Sequence, residues 1–534
     1  MKGKIFKDNW LELKPYEKFK VTDSYYLKIC NEVKKAITTN RSSLLLCMFL
    51  DENDIDYLAC FLTSYLEDLV SETNIWNSFV KAHQRLYKKK LPFYNTDGYY
   101  DEEINQQDIS FLIWYFLNTV VQEGKFIAPF SDFIVDTAEK VMIVFEKAWE
   151  YAPENPYLKP FYSIDEEEDF YIARNLIDTI LYKTYLFHPD TFLKLREQML
   201  EILEDHVDNK NIAALLNENR DSTLHKIHTR LLGLTGKEWA AEILGDNHKL
   251  SKEILNISQK INGFFLYKGQ DERDIFIEHI ASGKKFNITK KSFDHAYSLR
   301  EVDTILFIGI VRWKDEWWFS GAFVSQPFNP DLILEEKNSY RSRMTVSFLD
   351  HQSGKTNKML NTQFAAFKEF NKGSQIAFMP TDKINDFLDG FWAYYNDYLN
   401  LSAKEKKKAY QRAQDEGFLD TGTEKYNFND MPETGLVFFN PKSGAELAFD
   451  VNGAFPLPNN PFFDTEQSED DIMFLLTSDD FSKELALFCI DNCKNDLPFF
   501  TTGTWRLYLQ DMDFLLRFWK KENYFAKPSI TFVG

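Results

Sequence analysis

The chain has 534 residues, 44% hydrophobic and 27% charged, so it can bury several cores and is neither disordered nor fibrous. Its 82 acidic and 62 basic residues give a formal charge of −20, which disfavours non-specific binding to nucleic acid or to an anionic membrane. The five cysteines are too sparse for a disulfide framework, and the start MKGKIFKDNW lacks the apolar segment of a signal peptide. These features predict a soluble cytoplasmic protein without membrane association, and they leave its oligomeric state open.

Residues 1–258 predict an all-α helical domain. Apolar residues recur at intervals of three and four through segments of helical length, as in 52–70. Asp51 precedes that segment and Ser71 the next, and each side chain can accept a hydrogen bond from an otherwise unpaired backbone N–H. Prolines such as Pro92 fall between segments, where a missing N–H does least harm. The predicted helices cover residues 23–39, 52–70, 72–90, 104–122, 130–150, 166–187, 190–206 and 210–232.

Residues 259–328 show a different pattern, typical of β structure. Five short segments rich in β-branched and aromatic residues are joined by the turn sequences GQDERD, ASGK and KDE. Five strands in so short a segment are typical of a small barrel of the SH3-like or OB-like kind. The predicted strands cover residues 263–269, 274–280, 284–290, 304–313 and 316–324.

Residues 329–430 predict a mostly helical connector region, and residues 431–534 predict an α+β C-terminal domain. In the C-terminal domain, GLVFFN and ELAFDVN predict a hairpin around PKSGA. The helices predicted there cover residues 468–477, 480–495 and 511–522, and a terminal strand, SITFV, follows them. The whole chain is therefore predicted to be a multidomain α+β protein.

Several segments resemble a family of Bacteroidetes proteins of unknown function. They are GFFLYKGQDERD (263–274), WWFSG (317–321), DFLLRFWKKENYFAKPSITF (513–532) and, near the N-terminus, DNWLELKPY and DSYYLKICNEV. The resemblance covers nearly the whole chain and implies a Bacteroidetes host. The abundance of residues with AT-rich codons, such as Phe, Tyr, Lys and Asn, agrees with that host. The resemblance implies no activity.

No motif in the sequence identifies a catalytic chemistry. HQSGKT (351–356) follows the strand-like TVSFL, but Leu349 stands where a glycine must let backbone amides approach a phosphate. His225 and His228 share a helical face, yet the motif supplies no third metal ligand. We therefore predict no cofactor and no metal site.

The tryptophans of the predicted barrel are the first candidate binding surface. Trp313 precedes one short turn and Trp317 and Trp318 follow it, and strand alternation places the latter two on opposite faces. One face fills the barrel, and the other either packs against the helical domain or faces solvent. Exposed indoles would grip a peptide, or would stack nucleic-acid bases beside basic residues. The candidate binding residues are Trp313, Trp317, Trp318, Lys284, Lys285 and Arg312.

A second candidate is the loop AFPLPNNPFFD (454–464) of the C-terminal domain. Its prolines, asparagines and aromatic residues are typical either of a binding loop or of a rigid connector that covers the hairpin.

The sequence favours a non-enzymatic protein that binds another macromolecule, in the first place a protein, through the aromatic barrel and the C-terminal domain. One alternative is a hydrolase whose site is assembled only in the fold, for example His225 or His228 with two carboxylates. The other is a nucleic-acid-binding protein that uses the barrel, which the negative charge disfavours. Whether the chain is an enzyme is left open by the sequence.

Overall fold

A computed structural model gives the fold of the chain. It describes residues 3–39, 43–121, 126–207, 211–293, 299–350, 353–408, 428 and 430–525. No helix among these residues is long and apolar enough to cross a membrane. The predicted terminal strand SITFV lies outside the described residues.

The N-terminal half of the chain is helical, as its periodicity predicts. Apart from the helix predicted over 210–232, the long helices begin and end within a few residues of their predicted limits, whereas the four shortest helices have too few turns to show a periodicity. The helices are α1 (Lys7–Leu11), α2 (Asp23–Thr38), α3 (Ser43–Phe49), α4 (Glu52–Ser71), α5 (Ile75–Tyr87), α6 (Gln106–Val120), α7 (Asp132–Trp149), α8 (Phe170–Lys183), α9 (His188–Asp205), α10 (Ile212–Leu224), α11 (Gly236–Leu244) and α12 (Ser251–Leu255).

Carboxylates fix both ends of α4. Asp51 accepts from the backbone N–H of Asp54 at 2.9 Å, and the Asp54 side chain accepts from the N–H of Asp51 at 3.1 Å, which confirms the predicted cap. At the other end, buried Asp68 accepts from the N–H groups of Ile75 at 3.2 Å and Trp76 at 2.7 Å. This carboxylate therefore fixes the angle between α4 and α5 and lies favourably at the positive end of the α5 dipole.

Two predicted helix ends are wrong. Ser71 does not cap α5, because its hydroxyl accepts a backbone N–H of the α7–α8 connection at 2.9 Å. The helix predicted over 210–232 ends at Leu224, and the chain then folds back through a bridge between His228 and Thr235. Both differences come from contacts between distant segments, which a local pattern does not contain.

Five strands follow α12 in the predicted positions: β1 (Ile261–Gln270), β2 (Asp274–His279), β3 (Lys285–Thr289), β4 (Ile305–Trp313) and β5 (Glu316–Gln326). They form a mixed sheet in the order β1-β2-β3-β5-β4, with β3 and β5 parallel and the other pairs antiparallel. Because β4 pairs with β1 as well as with β5, the sheet closes on itself. Its interior holds an apolar cluster that includes Phe265, Phe286 and Ile308.

A second sheet combines the predicted connector with the C-terminal unit. Strand β6 (Ile376–Pro380) lies between α15 (Ser353–Phe370) and α16 (Ile384–Tyr398), and it pairs antiparallel with β7 (Thr434–Asn440). Strand β7 also forms the predicted hairpin with β8 (Gly444–Phe449). The connector therefore supplies an edge strand that its sequence did not reveal.

The strand expected at TVSFL, before HQSGKT, is absent from the described residues there. Helices α13 (Pro330–Asn338) and α14 (Tyr340–Met344) are followed by a 3-10 turn over Ser347–Asp350. A phosphate-binding loop connects a strand to a helix, so this segment lacks that arrangement.

The C-terminal unit continues with helices α17 (Ser468–Thr477), α18 (Lys483–Cys493), α19 (Pro498–Thr501) and α20 (Met512–Trp519), the last preceded by a 3-10 helix (Thr504–Asp511). One hydrophobic cluster contains residues of this unit and of the N-terminal helices. The ring of Phe93 lies 5.8 Å from that of Phe514, and the ring of Trp114 lies 5.1 Å from that of Phe518. The two regions therefore share a core.

Candidate functional site

The three tryptophans of the first candidate surface do not face solvent together. Trp317 contacts Phe286 inside the closed sheet, with ring centroids 5.0 Å apart. Trp318 lies on the opposite face, as predicted, where it is 3% exposed and contacts Phe170 of α8. Trp313 is 2% exposed. The burial of Trp313 and Trp318 therefore agrees with packing between domains, the first alternative. Neither indole is exposed for contact with a peptide or a base.

The basic residues of the same surface lie beside acidic ones. Arg312 is 3.2 Å from Asp315, and exposed Lys285 lies opposite Glu278 in the β2–β3 register. Lys284 is half-buried and directly precedes β3. Opposite charges at these positions leave little net positive field for a phosphate backbone.

We expect Trp318→Ala to destabilise the protein by about 3–5 kcal/mol, because it removes a large buried side chain between the sheet and α8. Trp317→Ala is the matched comparison and is expected to cost less, since Trp317 is only half-buried whereas Trp318 is buried. Urea unfolding followed by tryptophan fluorescence measures both. A cost below about 1 kcal/mol for Trp318→Ala would contradict its role in interdomain packing.

A buried cluster of charged side chains lies where α10 meets the closed sheet. Lys260 Nζ is 2.6 Å from Glu218 and 2.7 Å from Asp221. Arg174 reaches Asp221 at 2.5 Å, and the Ser320 hydroxyl donates to Asp221 at 2.8 Å. Burial by itself would raise the pKa of Asp221, but Lys260 and Arg174 outweigh it and hold that pKa well below its usual value. The charges of Lys260 and Arg174 balance those of Glu218 and Asp221. Such pairing offsets the cost of removing charged groups from water.

Two glycines of the sheet leave the space for the Lys260 side chain. A Cβ on Gly309 would lie 2.1 Å from Lys260 Cε, and a Cβ on Gly321 would lie 2.6 Å from Lys260 Nζ. Gly321 also has a φ of +95°, a backbone conformation that glycine adopts without strain.

Half-buried His225 joins this cluster, but the serine and the aspartate that face it are closed to solvent. Its Nε2 is 3.4 Å from the Ser320 hydroxyl oxygen, and burial lowers the pKa of His225 to about 4 although Asp221 acts to raise it. Ser320 and Asp221 are fully buried, so neither can meet a substrate. His228 lies apart, with its Nδ1 3.4 Å from Glu522. At His225 the hydrolase alternative thus finds a histidine beside two carboxylates, but they lie in the interface between α10 and the closed sheet.

The loop over 454–464 is held as a connector. The Asn460 amide donates to the carbonyl oxygens of Asn452 and Phe455, both at 2.8 Å, and Phe455 is fully buried. The Asn459 amide donates to the carbonyl of Ile376 in β6 at 3.1 Å. These bonds tie the loop to the second sheet, which agrees with the rigid-connector alternative.

An open cleft lies in the C-terminal unit, between α18 and the segment from α19 to α20. Its volume is about 390 Å³, a size within the range of known ligand sites. On α18, Leu487, Ile490, Asp491 and Lys494 are spaced i, i+3, i+4 and i+7, so they line the cleft along one helical face. The other lining residues are Asn495, Phe500, Thr501, Leu509, Gln510, Met512 and Asp513.

The cleft has an apolar floor and a polar rim. Ile490, Phe500 and Met512 are buried and form its floor, with half-buried Leu487 and Leu509 beside them. The side chains at its edge are polar, and they include positively and negatively charged groups. The exposed ones are Asp491, Asn495, Thr501 and Gln510, and the half-buried ones are Lys494 and Asp513. This is the composition of a site that takes an apolar group and orients it with polar ones.

Asp513 connects the rim of the cleft to the helical domain. Its Oδ2 accepts from the Tyr87 hydroxyl at 2.6 Å and from Arg517 Nε at 3.0 Å, and its Oδ1 accepts from the Tyr524 hydroxyl. Burial acts to raise the pKa of Asp513, but these donors outweigh it and hold the pKa below its usual value. The carboxylate is therefore ionised at neutral pH.

Local sequence features shape the cleft walls. Ser482 caps α18 by accepting from the N–H of Leu485 at 3.1 Å, and Glu446 fixes the Ser482 hydroxyl at 2.6 Å. The opposite wall turns sharply at Gly503, where a Cβ would lie 2.7 Å from the carbonyl oxygen of Phe499. Residue positions on both walls are thus fixed by short-range contacts.

The sequence did not single out this cleft. The sequence feature that could have indicated it is a stripe along one face of α18, formed by Leu487, Ile490, Asp491 and Lys494. In this stripe two charged residues interrupt an apolar face. That stripe is also compatible with an ordinary surface helix, and only the fold places the α19–α20 segment across from it.

Among the described residues, no group of three His, Cys, Asp or Glu side chains is arranged to hold a metal ion. The five cysteines are free thiols, and Cys489 donates to the carbonyl of Ala454 at 3.2 Å.

Comparison with known proteins gives one match. A family model described as a protein of unknown function (DUF3843) matches residues 4–272, which span the helical domain and β1. No curated protein and no solved structure matches the chain. The cleft lies beyond the matched residues.

Proposed function

The chain belongs to a family of proteins of unknown function (DUF3843), so its function has to be inferred from its own structure, and we propose that it binds a segment of another protein in the C-terminal cleft without catalysing a reaction. The observation that carries this proposal is the open cleft of about 390 Å³ with its apolar floor and polar rim. The proposal keeps the C-terminal domain as a contact module and gives up the barrel tryptophans in that role.

The shape and composition of the cleft favour a peptide over an enclosed small ligand. One wall is a helical face that is open along its length, and side chains of an extended or helical segment can enter such a groove at regular intervals. The polar atoms at the rim can pair with a peptide backbone at its edges. In the only histidine–serine–carboxylate group described above, the serine and the aspartate are closed to solvent, so the chemistry of a hydrolase has no support at that site.

We expect Thr501→Trp to weaken peptide binding at least about tenfold, a loss of about 1.4 kcal/mol, because an indole at this exposed rim position fills the cleft. The full chain is panned against a phage-displayed library of random peptides, and isothermal titration calorimetry measures the selected peptides on wild type and variant. Thr502→Trp is the matched control, since Thr502 is also exposed but does not line the cleft.

Equal affinity of the selected peptides for the wild type and Thr501→Trp would overturn the proposed function. So would a library that yields no binder. Circular dichroism and thermal unfolding of both variants establish that a lost affinity does not come from a lost fold.

Further features belong to this proposal. We infer that the closed five-stranded sheet is an SH3-like or OB-like module that packs on the helical domain, which its pairing of β4 with β1 supports. We infer the division into 1–258, 259–328, 329–430 and 431–534, with β6 of the third segment completing the sheet of the fourth, and we infer a Bacteroidetes origin and a cytoplasmic location. The free, mostly buried thiols support the location.

A further inference from the structure

We propose that the segment bound in the C-terminal cleft carries an apolar side chain followed closely by a lysine or arginine, and that Asp491 and Asp513 recognise this basic side chain. The inference rests on the proposed function of the cleft and adds the chemistry of the partner.

Asp491 is an unpaired carboxylate at the edge of the cleft, within the part of the chain that the structure describes. It is exposed on the cleft face of α18, one turn from half-buried Leu487 beside the floor, and it has no ion-pair partner in the described part of the chain. A carboxylate in that position can receive a cation from a ligand without giving up a bond within the protein. Its partner on the ligand therefore lies next to the group that enters the floor.

Asp513 supplies a second carboxylate on the opposite wall. Its side chain is 42% exposed, although it accepts hydrogen bonds from Tyr87, Tyr524 and Arg517. A carboxylate offers about four acceptor positions, so one remains for a donor that arrives from the cleft. The three bonds already made hold this carboxylate in place and ionised.

The surroundings have the charge that attracts a basic ligand. The predicted C-terminal domain contains 16 acidic and eight basic residues, and such an excess of one sign steers ligands of the opposite sign. Lys494 is the one basic lining residue, against two carboxylates. An acidic ligand would meet repulsion, and a purely apolar ligand would leave Asp491 unused.

The experiment compares the affinity of the selected peptides for the wild type with their affinity for a variant in which one charge at the rim is reversed. We expect the peptides to share an apolar residue beside a basic one, and we expect Asp491→Lys to weaken their binding about fivefold, because the reversal replaces the attraction of an exposed charge pair by repulsion. Asp496→Lys is the matched control: Asp496 is exposed in the same region but does not line the cleft. Replacing the basic residue of the peptide by glutamate should restore affinity for Asp491→Lys and reduce it for the wild type.

The outcomes separate this inference from the proposed function. Peptides that lose affinity on Thr501→Trp, but share no basic residue and bind Asp491→Lys unchanged, would overturn the basic partner and leave the cleft as the binding site. Peptides that bind Thr501→Trp as well as the wild type would overturn both. Restored affinity in the glutamate peptide with Asp491→Lys supports the inference and cannot come from a misfolded variant.

Discussion

Replacing Lys260 by methionine is expected to destabilise the protein by about 3–5 kcal/mol, because it leaves buried carboxylates without their cation. Lys260 is 2.6 Å from Glu218 and 2.7 Å from Asp221, and its side chain is 1% exposed. Only Arg174 would remain to compensate the pair. Methionine keeps most of the side-chain volume, so the loss measures charge and not a cavity. Urea unfolding gives the free energy.

Lys268→Met is the control for this variant. Lys268 lies on β1, the strand that Lys260 directly precedes, but its ion pair with Asp303 is at the surface, with side chains 34% and 43% exposed. Exposed pairs contribute little, so we expect a change below about 1 kcal/mol. If Lys260→Met proved as stable as Lys268→Met, the buried cluster would not be what attaches the sheet to the helical domain.

Acidification from pH 7 to pH 5 is expected to cost the fold several kcal/mol, because three buried histidines and half-buried His225 resist protonation. Burial lowers the pKa of His83, His225 and His279 to about 4 each and that of His188 to about 3. The unfolded chain takes up these protons near pH 6.5. The stability that neutral histidines provide is therefore fully present above pH 6.5 and is lost as the pH falls towards 4, by about 2 kcal/mol per histidine at pH 5.

Buried carboxyls oppose this effect in part. Burial raises the pKa of Asp108 to about 7, only partly offset by the Tyr65 hydroxyl, so its contribution improves as the pH falls through 7. Burial also raises the pKa of Glu67 and of Asp68. These carboxyls recover part of the free energy that the four histidines lose, and net destabilisation by acid remains. Circular dichroism against pH should show unfolding between pH 6 and 4.

A single histidine variant tests the assignment of this acid sensitivity. His188→Gln should lower the slope of unfolding free energy between pH 6 and 5 by about 1.4 kcal/mol per pH unit, because one proton fewer is taken up. The exposed His206, replaced by glutamine, should leave the slope unchanged. A protein whose stability is flat between pH 7 and 4.5 would show that the buried histidines do not control it.

Local patterns were sufficient to predict most elements of this fold. The five strands of the closed sheet and the β7–β8 hairpin were predicted because their alternation and turn residues lie within a few positions of one another. Strand β6 was missed because it has only five residues and its partner β7 begins at Thr434, far along the chain. The same reason explains Ser71, whose hydroxyl is used by a distant backbone N–H.

The candidate sites depended on exposure, which the sequence does not specify. Strand alternation correctly placed Trp317 and Trp318 on opposite faces, but it could not tell that α8 covers Trp318. To predict the cleft, one must know which helical face is left uncovered. The face of α18 with Asp491 stays open because the α19–α20 segment stops short of covering it. In both cases the packing of elements that are distant in the sequence determines whether a side chain is exposed.

The structure of the full chain with its strongest selected peptide tests the central claim most directly. We expect the peptide in the C-terminal cleft, with its apolar side chain against Ile490, Phe500 and Met512 and its basic group within hydrogen-bond distance of Asp491. A peptide bound elsewhere on the molecule, with the cleft left free, would contradict the account.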